Sequence, residues 1–193
     1  ALVLALCHIK TIHAHPISLR DKIGQMLIIG FEEAKINQNS DIENYIFQDN
    51  IGGVILFDKN IESPDQVKSL NQKLKTLSKN SNQTLGRPNL PLLISIDYEG
   101  GKVSRLRESY GFPATESAET IGHKTQLDVK KAASKMAHTL KHTGFNLDFA
   151  PVLDMNTNPD NPIIAKYERS FSDNPETVVR YASIYSESFL NQG

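Results

Sequence analysis

Asp97 closes an apolar run, Leu92-Leu93-Ile94-Ser95-Ile96, and is followed at once by Tyr98-Glu99-Gly100-Gly101-Lys102-Val103-Ser104-Arg105. A carboxylate at the tip of a buried strand, next to paired glycines, marks a place where backbone can approach a ligand closely or adopt a positive φ. Arg105, in the same stretch, offers planar and directional donors to a ligand oxygen. On spacing alone Asp97 reads equally as a ligand contact or a structural cap. Glu99 reads at least as readily as a supporting residue as a ligand contact. A second cluster is Asp148-Phe149-Ala150-Pro151-Val152-Leu153-Asp154. Asp148 lies inside an apolar run, where a charge is costly unless paired or hydrogen-bonded. Asp154 precedes a stretch rich in turn residues, Asn156 to Pro162. The third cluster, Glu168-Arg169-Ser170-Phe171-Ser172-Asp173, sets an arginine beside capping residues and reads as a structural element or as a ligand clamp. Taken by residue type alone, Asp97 and Asp154 make the acid-and-nucleophile pair that cleavage of a glycosidic bond calls for.

Other chemistries find little support. There is no Gly-x-Ser-x-Gly elbow, His-Glu-x-x-His pair or phosphate-binding loop. Cys7 is the only cysteine, so no intrachain disulfide can form. His138 and His142 share one face of a predicted helix, but no further ligand accompanies them, so no metal site is expected. The 21 Lys+Arg and 22 Asp+Glu residues nearly balance. That balance argues against a nucleic-acid footprint and against attraction to acidic membranes.

The elements that must position these clusters alternate along the chain. Predicted strands are Gln25–Phe31, Ile51–Phe57, Pro91–Asp97 and Phe145–Ala150, each a short apolar run. Near-continuous β-branched runs such as Ile51-Gly52-Gly53-Val54-Ile55-Leu56-Phe57 suit strands covered on both faces of a parallel sheet. Helical spacing appears in Asp41–Gln48, through Ile42, Tyr45 and Ile46, with Ser40 or Asp41 as cap. It recurs from Pro64 onward through Val67, Leu70, Leu74 and Leu77, where Ser63-Pro64 reads as N-cap and first helical residue. Polar Lys79–Asn89 reads as a loop. Leu127–His142 carries Val129, Ala133, Met136, Ala137 and Leu140 on one face, and Pro175–Asn191 carries Val178, Ala182, Tyr185 and Phe189. Strand and helix in alternation imply βαβ units with right-handed crossovers. Either an open doubly wound sheet or a (β/α)8 barrel fits; a barrel takes about 250 residues, so four units make half of one.

Residues 1–15 stand apart. Ala1-Leu2-Val3-Leu4-Ala5-Leu6-Cys7 is too short for a membrane span, which takes about 20 residues. It reads as the trimmed apolar part of a secretory signal, cleaved near His13-Ala14-His15. That reading predicts a periplasmic or secreted protein. The other reading, a first strand or helix of the domain, predicts a cytoplasmic one. Leu6 is too large for the position before a lipidated cysteine.

Four segments in order carry a resemblance. Ile-Gly-Gly-Val-Ile-Leu-Phe at 51–57, Asp-Tyr-Glu-Gly-Gly-Lys-Val-Ser-Arg at 97–105, Asp-Phe-Ala-Pro-Val-Leu-Asp at 148–154 and Glu-Arg-Ser-Phe-Ser-Asp at 168–173 resemble glycoside hydrolase family 3. The Asp-x-Glu-Gly-Gly-x-Val form is similar to its β-N-acetylhexosaminidase branch, which acts in bacterial peptidoglycan recycling. The likeness runs from about Leu19 to Gly193. It implies an α/β fold, the N-terminal half of a (β/α)8 TIM barrel, with residues 16–193 as a barrel domain truncated at its C-terminus. It implies retaining hydrolysis of terminal β-linked N-acetylhexosamine with no metal or organic cofactor, by a monomer when full length. By position, Asp97, Arg105 and Arg169 become substrate-binding residues, and Asp148 and Asp154 become framework, which replaces the Asp97–Asp154 pairing. The resemblance places a Lys-His-Phe-Pro-Gly-His-Gly segment, an Asp/His dyad as acid/base and a nucleophilic Asp beyond Gly193, so it names no catalytic residue here. A β-glucosidase of the same family and a non-catalytic sugar-binding derivative are the alternatives.

Overall fold

The computed structural model describes residues 17–37 and 40–192, so the expected signal over residues 1–15 lies outside the described residues. Four parallel strands form the sheet: β1 (Ile28–Gly30), β2 (Gly53–Leu56), β3 (Leu93–Ile96) and, after a two-stranded ribbon of β4 (Tyr98–Gly100) and β5 (Val103–Ser104), β6 (Leu147–Asp148). The helices are α1 (Leu19–Gly24), α2 (Asp41–Asp49), α3 (Pro64–Thr84), α4 (Ala118–Gly122), α5 (Gln126–Thr143) and α6 (Pro175–Leu190). The spatial order β1-β2-β3-β6 never reverses: each new strand joins the same edge. A doubly wound sheet reverses at a switch point, so this winding is that of a barrel. Four strand–helix units, β1-α2, β2-α3, β3-α5 and β6-α6, match the half-barrel expected from the sequence.

The alternation of side chains along the strands divides the sheet into two unlike faces. Val54, Leu56, Ile94 and Ile96 are wholly buried against Ile42, Val67, Leu74 and Val129 of the helices, and this layer is the core. On the other face Ile28 and Leu93 stay partly exposed on either side of Gly53, with which both are in register. A Cβ on Gly53 would sit 2.8 Å from the Leu93 Cβ, so glycine here lets the two neighbouring side chains close over the strand.

Helix ends follow their caps. Ser63 accepts from the Gln66 N–H at 3.2 Å and Pro64 takes the first turn of α3. Thr125 and Asn174 cap α5 and α6 in the same way. The structure corrects three expectations. Lys79–Thr84 is helix, not loop, because Ser78, Ser81 and Asn82 continue the buried stripe of α3 although they are polar. Tyr45 faces outward, leaving Ile42 and Ile46 as the inner face of α2. Gln25 and Met26 follow α1 and lie outside the strand, since Ser18 and Asp21 form a capping box that starts a helix there.

Candidate functional site

The chemistry-bearing residues collect at the C-terminal tips of the parallel strands, the face where such folds bind ligands. Asp58 lies just past β2, Asp97 directly past β3, and Asp148 ends β6. The β4–β5 ribbon grows out of the Asp97 tip. Its turn uses both glycines as their spacing suggested: Gly100 has φ 96° and Gly101 φ 55°. A Cβ on Gly100 would meet the Glu116 carbonyl at 2.3 Å, so the ribbon lies flush on the segment before α4.

Asp97 and Arg105, both singled out from sequence, are paired. Arg105 Nη2 donates to Asp97 Oδ2 at 3.0 Å, and the Arg105 N–H donates to the Asp97 carbonyl at 3.1 Å. The guanidinium also faces Asp58 Oδ2 at 3.7 Å and lies over the Phe57 ring at 5.8 Å. Asp58 Oδ2 accepts in turn from Arg107 Nη2 at 2.7 Å. Sequence reasoning missed Asp58 and Arg107. The available signal was position: Asp58 follows its apolar strand much as Asp97 follows its own. Asp97 keeps Oδ1 uncommitted among the described residues, which leaves it an acceptor for a ligand hydroxyl.

Arg169 arrives from a different part of the chain and is gripped by Glu99. Nε donates to Oε2 at 2.8 Å and Nη2 to Oε1 at 2.7 Å. This bond first, then the charges of Glu99, Asp154 and Asp97, hold the guanidinium above its ordinary pKa. Asp97, Arg105 and Arg169 thus belong to one electrostatic cluster. Asp154, exposed at its rim, contributes charge to Arg169, while its carbonyl accepts from the Ser170 hydroxyl at 2.6 Å. Asp148 lies behind. Burial pushes its carboxyl up to about 8, and the charges of Asp97 and Glu99 add to the shift against a hydrogen bond from the Tyr98 N–H at 3.0 Å. Asp148 Oδ2 has no partner among the described residues. His138 and His142 stack on each other on α5, and no group of three metal-ligating side chains occurs among the described residues.

The loop carrying Arg169 owes its place to α4, an element too short to read from sequence. The Glu119 N–H donates to the Glu168 carbonyl at 3.2 Å, which helps hold Glu168 at φ 57°. The Phe171 ring packs on Tyr181 and Tyr185 of α6 at 6.1 and 5.3 Å. Gly122 lies so close beneath Phe171 that a Cβ would meet its carbonyl at 1.8 Å. Helix propensity favours Gly→Ala by ~1 kcal/mol. Here the backbone clash dominates, and Gly122→Ala is expected to lose about 2 kcal/mol of unfolding free energy in urea titrations. A more stable variant would refute this role for Gly122.

Comparison with known proteins agrees with this geometry. The sequence profile of the glycosyl hydrolase family 3 N terminal domain matches residues 18–193. A beta-hexosaminidase of Mycobacterium tuberculosis, LpqI, is 30% identical over 177 residues, 92% of this chain and 41% of its own length. Among solved structures, a family 3 beta-N-acetylglucosaminidase from a Paenibacillus species superposes with TM-score 0.82 at 32% identity, over 92% of this chain and 32% of that one. A beta-N-acetylhexosaminidase from Beutenbergia cavernae gives TM-score 0.79 at 27% identity, over 92% of this chain and 52% of that one. The chain therefore spans from about a third to a half of these relatives. With a profile match across the whole described domain, and with sheet winding and strand-tip residues in accord, the chain belongs to glycosyl hydrolase family 3 and represents its N-terminal domain.

Proposed function

We propose that these residues form the sugar-binding wall of a β-N-acetylhexosaminidase that removes terminal β-linked N-acetylhexosamine from a carbohydrate such as a peptidoglycan fragment. The observation that carries the reading is the convergence of two carboxylate–guanidinium pairs, Asp97–Arg105 and Glu99–Arg169, at the tip of β3. Relatives named as beta-hexosaminidases, aligned across 92% of this chain, support this sugar class over a glucoside. In this reading Asp97 accepts from sugar hydroxyls, and Arg105 and Arg169 donate to ring or acetamido oxygens. Such contacts aid catalysis where they strengthen in the oxocarbenium-like transition state. The acid/base and the nucleophile come from residues other than these three.

The test is an assay of the complete gene product on aryl β-N-acetylglucosaminide beside aryl β-glucoside. The expected kcat/KM ratio is about a hundred or more in favour of the acetamido sugar, since a site built to bond a polar substituent rejects a substrate lacking it. Equal rates would reject the assignment. Residues 1–193 alone are expected to show no turnover of either substrate, and measurable turnover would place a catalytic pair within them.

A further inference from the structure

The Glu99–Arg169 pair divides the donors of the guanidinium. Nε and one N–H of Nη2 are spent on Glu99, at 2.8 and 2.7 Å, leaving the opposite edge, Nη1 with the second Nη2 N–H, uncommitted among the described residues. The Glu99 side chain is only 7% exposed against 25% for Arg169, so the carboxylate sits behind the arginine and not beside it in the open site. Both Glu99 oxygens are occupied, which makes it a poor ligand contact. A two-pronged carboxylate fixes the plane of a guanidinium as well as its position, which a single bond does not. Extended backbone places Asp97 and Glu99, two residues apart, on one side, with wholly buried Tyr98 on the other. The strand tip that presents Asp97 therefore also holds Arg169, although the two residues are 72 positions apart in the chain.

We infer that Glu99 is a positioning residue for substrate binding: it aims the free Nη1 edge of Arg169 at the sugar that Asp97 grips. The inference rests on Arg169 being a sugar contact. It also narrows the ligand atom. Glu99 already neutralises Arg169, and Asp154 and Asp97 add further negative charge, so Nη1 suits an uncharged acceptor such as a hydroxyl or acetamido oxygen and disfavours a phosphate or carboxylate.

A double-mutant cycle in the complete gene product tests this, with kcat and KM on aryl β-N-acetylglucosaminide and the thermal midpoint as readouts. Arg169→Lys keeps the charge but loses the fork, and is expected to lower kcat/KM by about tenfold. Glu99→Gln sets an amide donor against arginine donors and is expected to give a similar loss with its folding transition intact. The double variant should fall within about twofold of Arg169→Lys alone, because the two residues act as a unit. Losses that multiply in the double variant would mean that Glu99 acts independently of Arg169, and would overturn the inference. So would an unaltered Glu99→Gln. If Arg169→Lys itself is unaltered, the sugar-contact reading beneath the inference fails instead. Should Glu99→Gln not fold, Glu99→Asp, which keeps the charge and shortens the reach, replaces it in the same cycle.

Discussion

Asp97→Ala is expected to lower kcat/KM for an aryl β-N-acetylglucosaminide by well over about tenfold in the complete gene product. Two losses combine. The sugar hydroxyls from which Asp97 would accept lose their acceptor when the bound sugar covers it, and a donor left unpaired costs more than the net worth of the hydrogen bond. Arg105 also loses the oxygen that Nη2 bonds at 3.0 Å, so its guanidinium is drawn toward Asp58, the remaining carboxylate on its Nη1 side. Both effects act on the site and not on the core, since Asp97 is partly exposed and its main-chain bond to the Arg105 N–H survives the substitution. The measurement is steady-state kinetics with the thermal midpoint as control. An unchanged kcat/KM would remove Asp97 from the binding site. A lost folding transition would make it a structural cap, the other reading its spacing allowed. Asp97→Asn separates shape from charge: it keeps an acceptor but places an amide toward Arg105 or the sugar, and is expected to fall between the two.

Much of this arrangement was legible in the chain because it rests on short-range signals. Runs such as Val54-Ile55-Leu56 announce a buried strand, and the Ser63-Pro64 and Thr125 caps announce where helices start. The buried stripes of α3, α5 and α6 appear at their predicted positions because apolar spacing and burial are the same physical fact. The strand tips then mark Asp97 without reference to any partner. The errors lie where polar residues are buried for non-local reasons. Ser81 and Asn82 prolong α3 because Arg87 folds back onto it, its N–H donating to the Asn82 carbonyl at 2.9 Å, and Arg87 is itself held by distant partners, the Phe47 carbonyl at 2.7 Å and Asp21 at 2.7 Å. Nothing within a few residues signals that.

The site was legible in parts and hidden in its connections. Arg105 and Arg169 could be picked out as donors, and Glu99 as a support only in the generic sense that it follows Asp97. Which carboxylate holds which arginine is decided by the β4–β5 ribbon and α4. Both are short, and both are set by backbone contacts of Gly100, Gly101 and Gly122 with Glu116, Ser117 and Phe171. A five-residue helix has too few turns to show periodicity. Asp58 shares with Asp97 the position past an apolar strand, but its bond of 2.7 Å to Arg107 joins segments 49 residues apart, and nothing near Arg107 announces it.

Asp148→Asn is expected to stabilise the protein at alkaline pH and to flatten its pH dependence. Burial, with the charges of Asp97 and Glu99 added, pushes the Asp148 carboxyl from the ordinary carboxylate range up to about 8. A folded-state pKa above the unfolded value means that the folded protein holds the proton more tightly. Stability from this group is therefore complete below about pH 4 and declines as the pH rises, by about 1.4 kcal/mol per unit, until the folded-state pKa is passed. Across that window the loss is on the order of 5 kcal/mol, a large share of the 5–15 kcal/mol typical of a domain. Asparagine keeps an acceptor for the Tyr98 N–H, now bonded to Oδ1 at 3.0 Å, and cannot ionise. Asp21, Asp128 and Glu168 are shifted the other way by their hydrogen bonds to Ser18, Thr125 and Lys102, so their contribution is lost as the pH falls and is common to both proteins. Urea titrations at about pH 5 and about pH 9 should then show the variant gaining on the wild type by several kcal/mol between the two conditions. A constant difference at both pH values would mean that Asp148 is ionised in the folded protein, with a cation or donor supplied to its second oxygen.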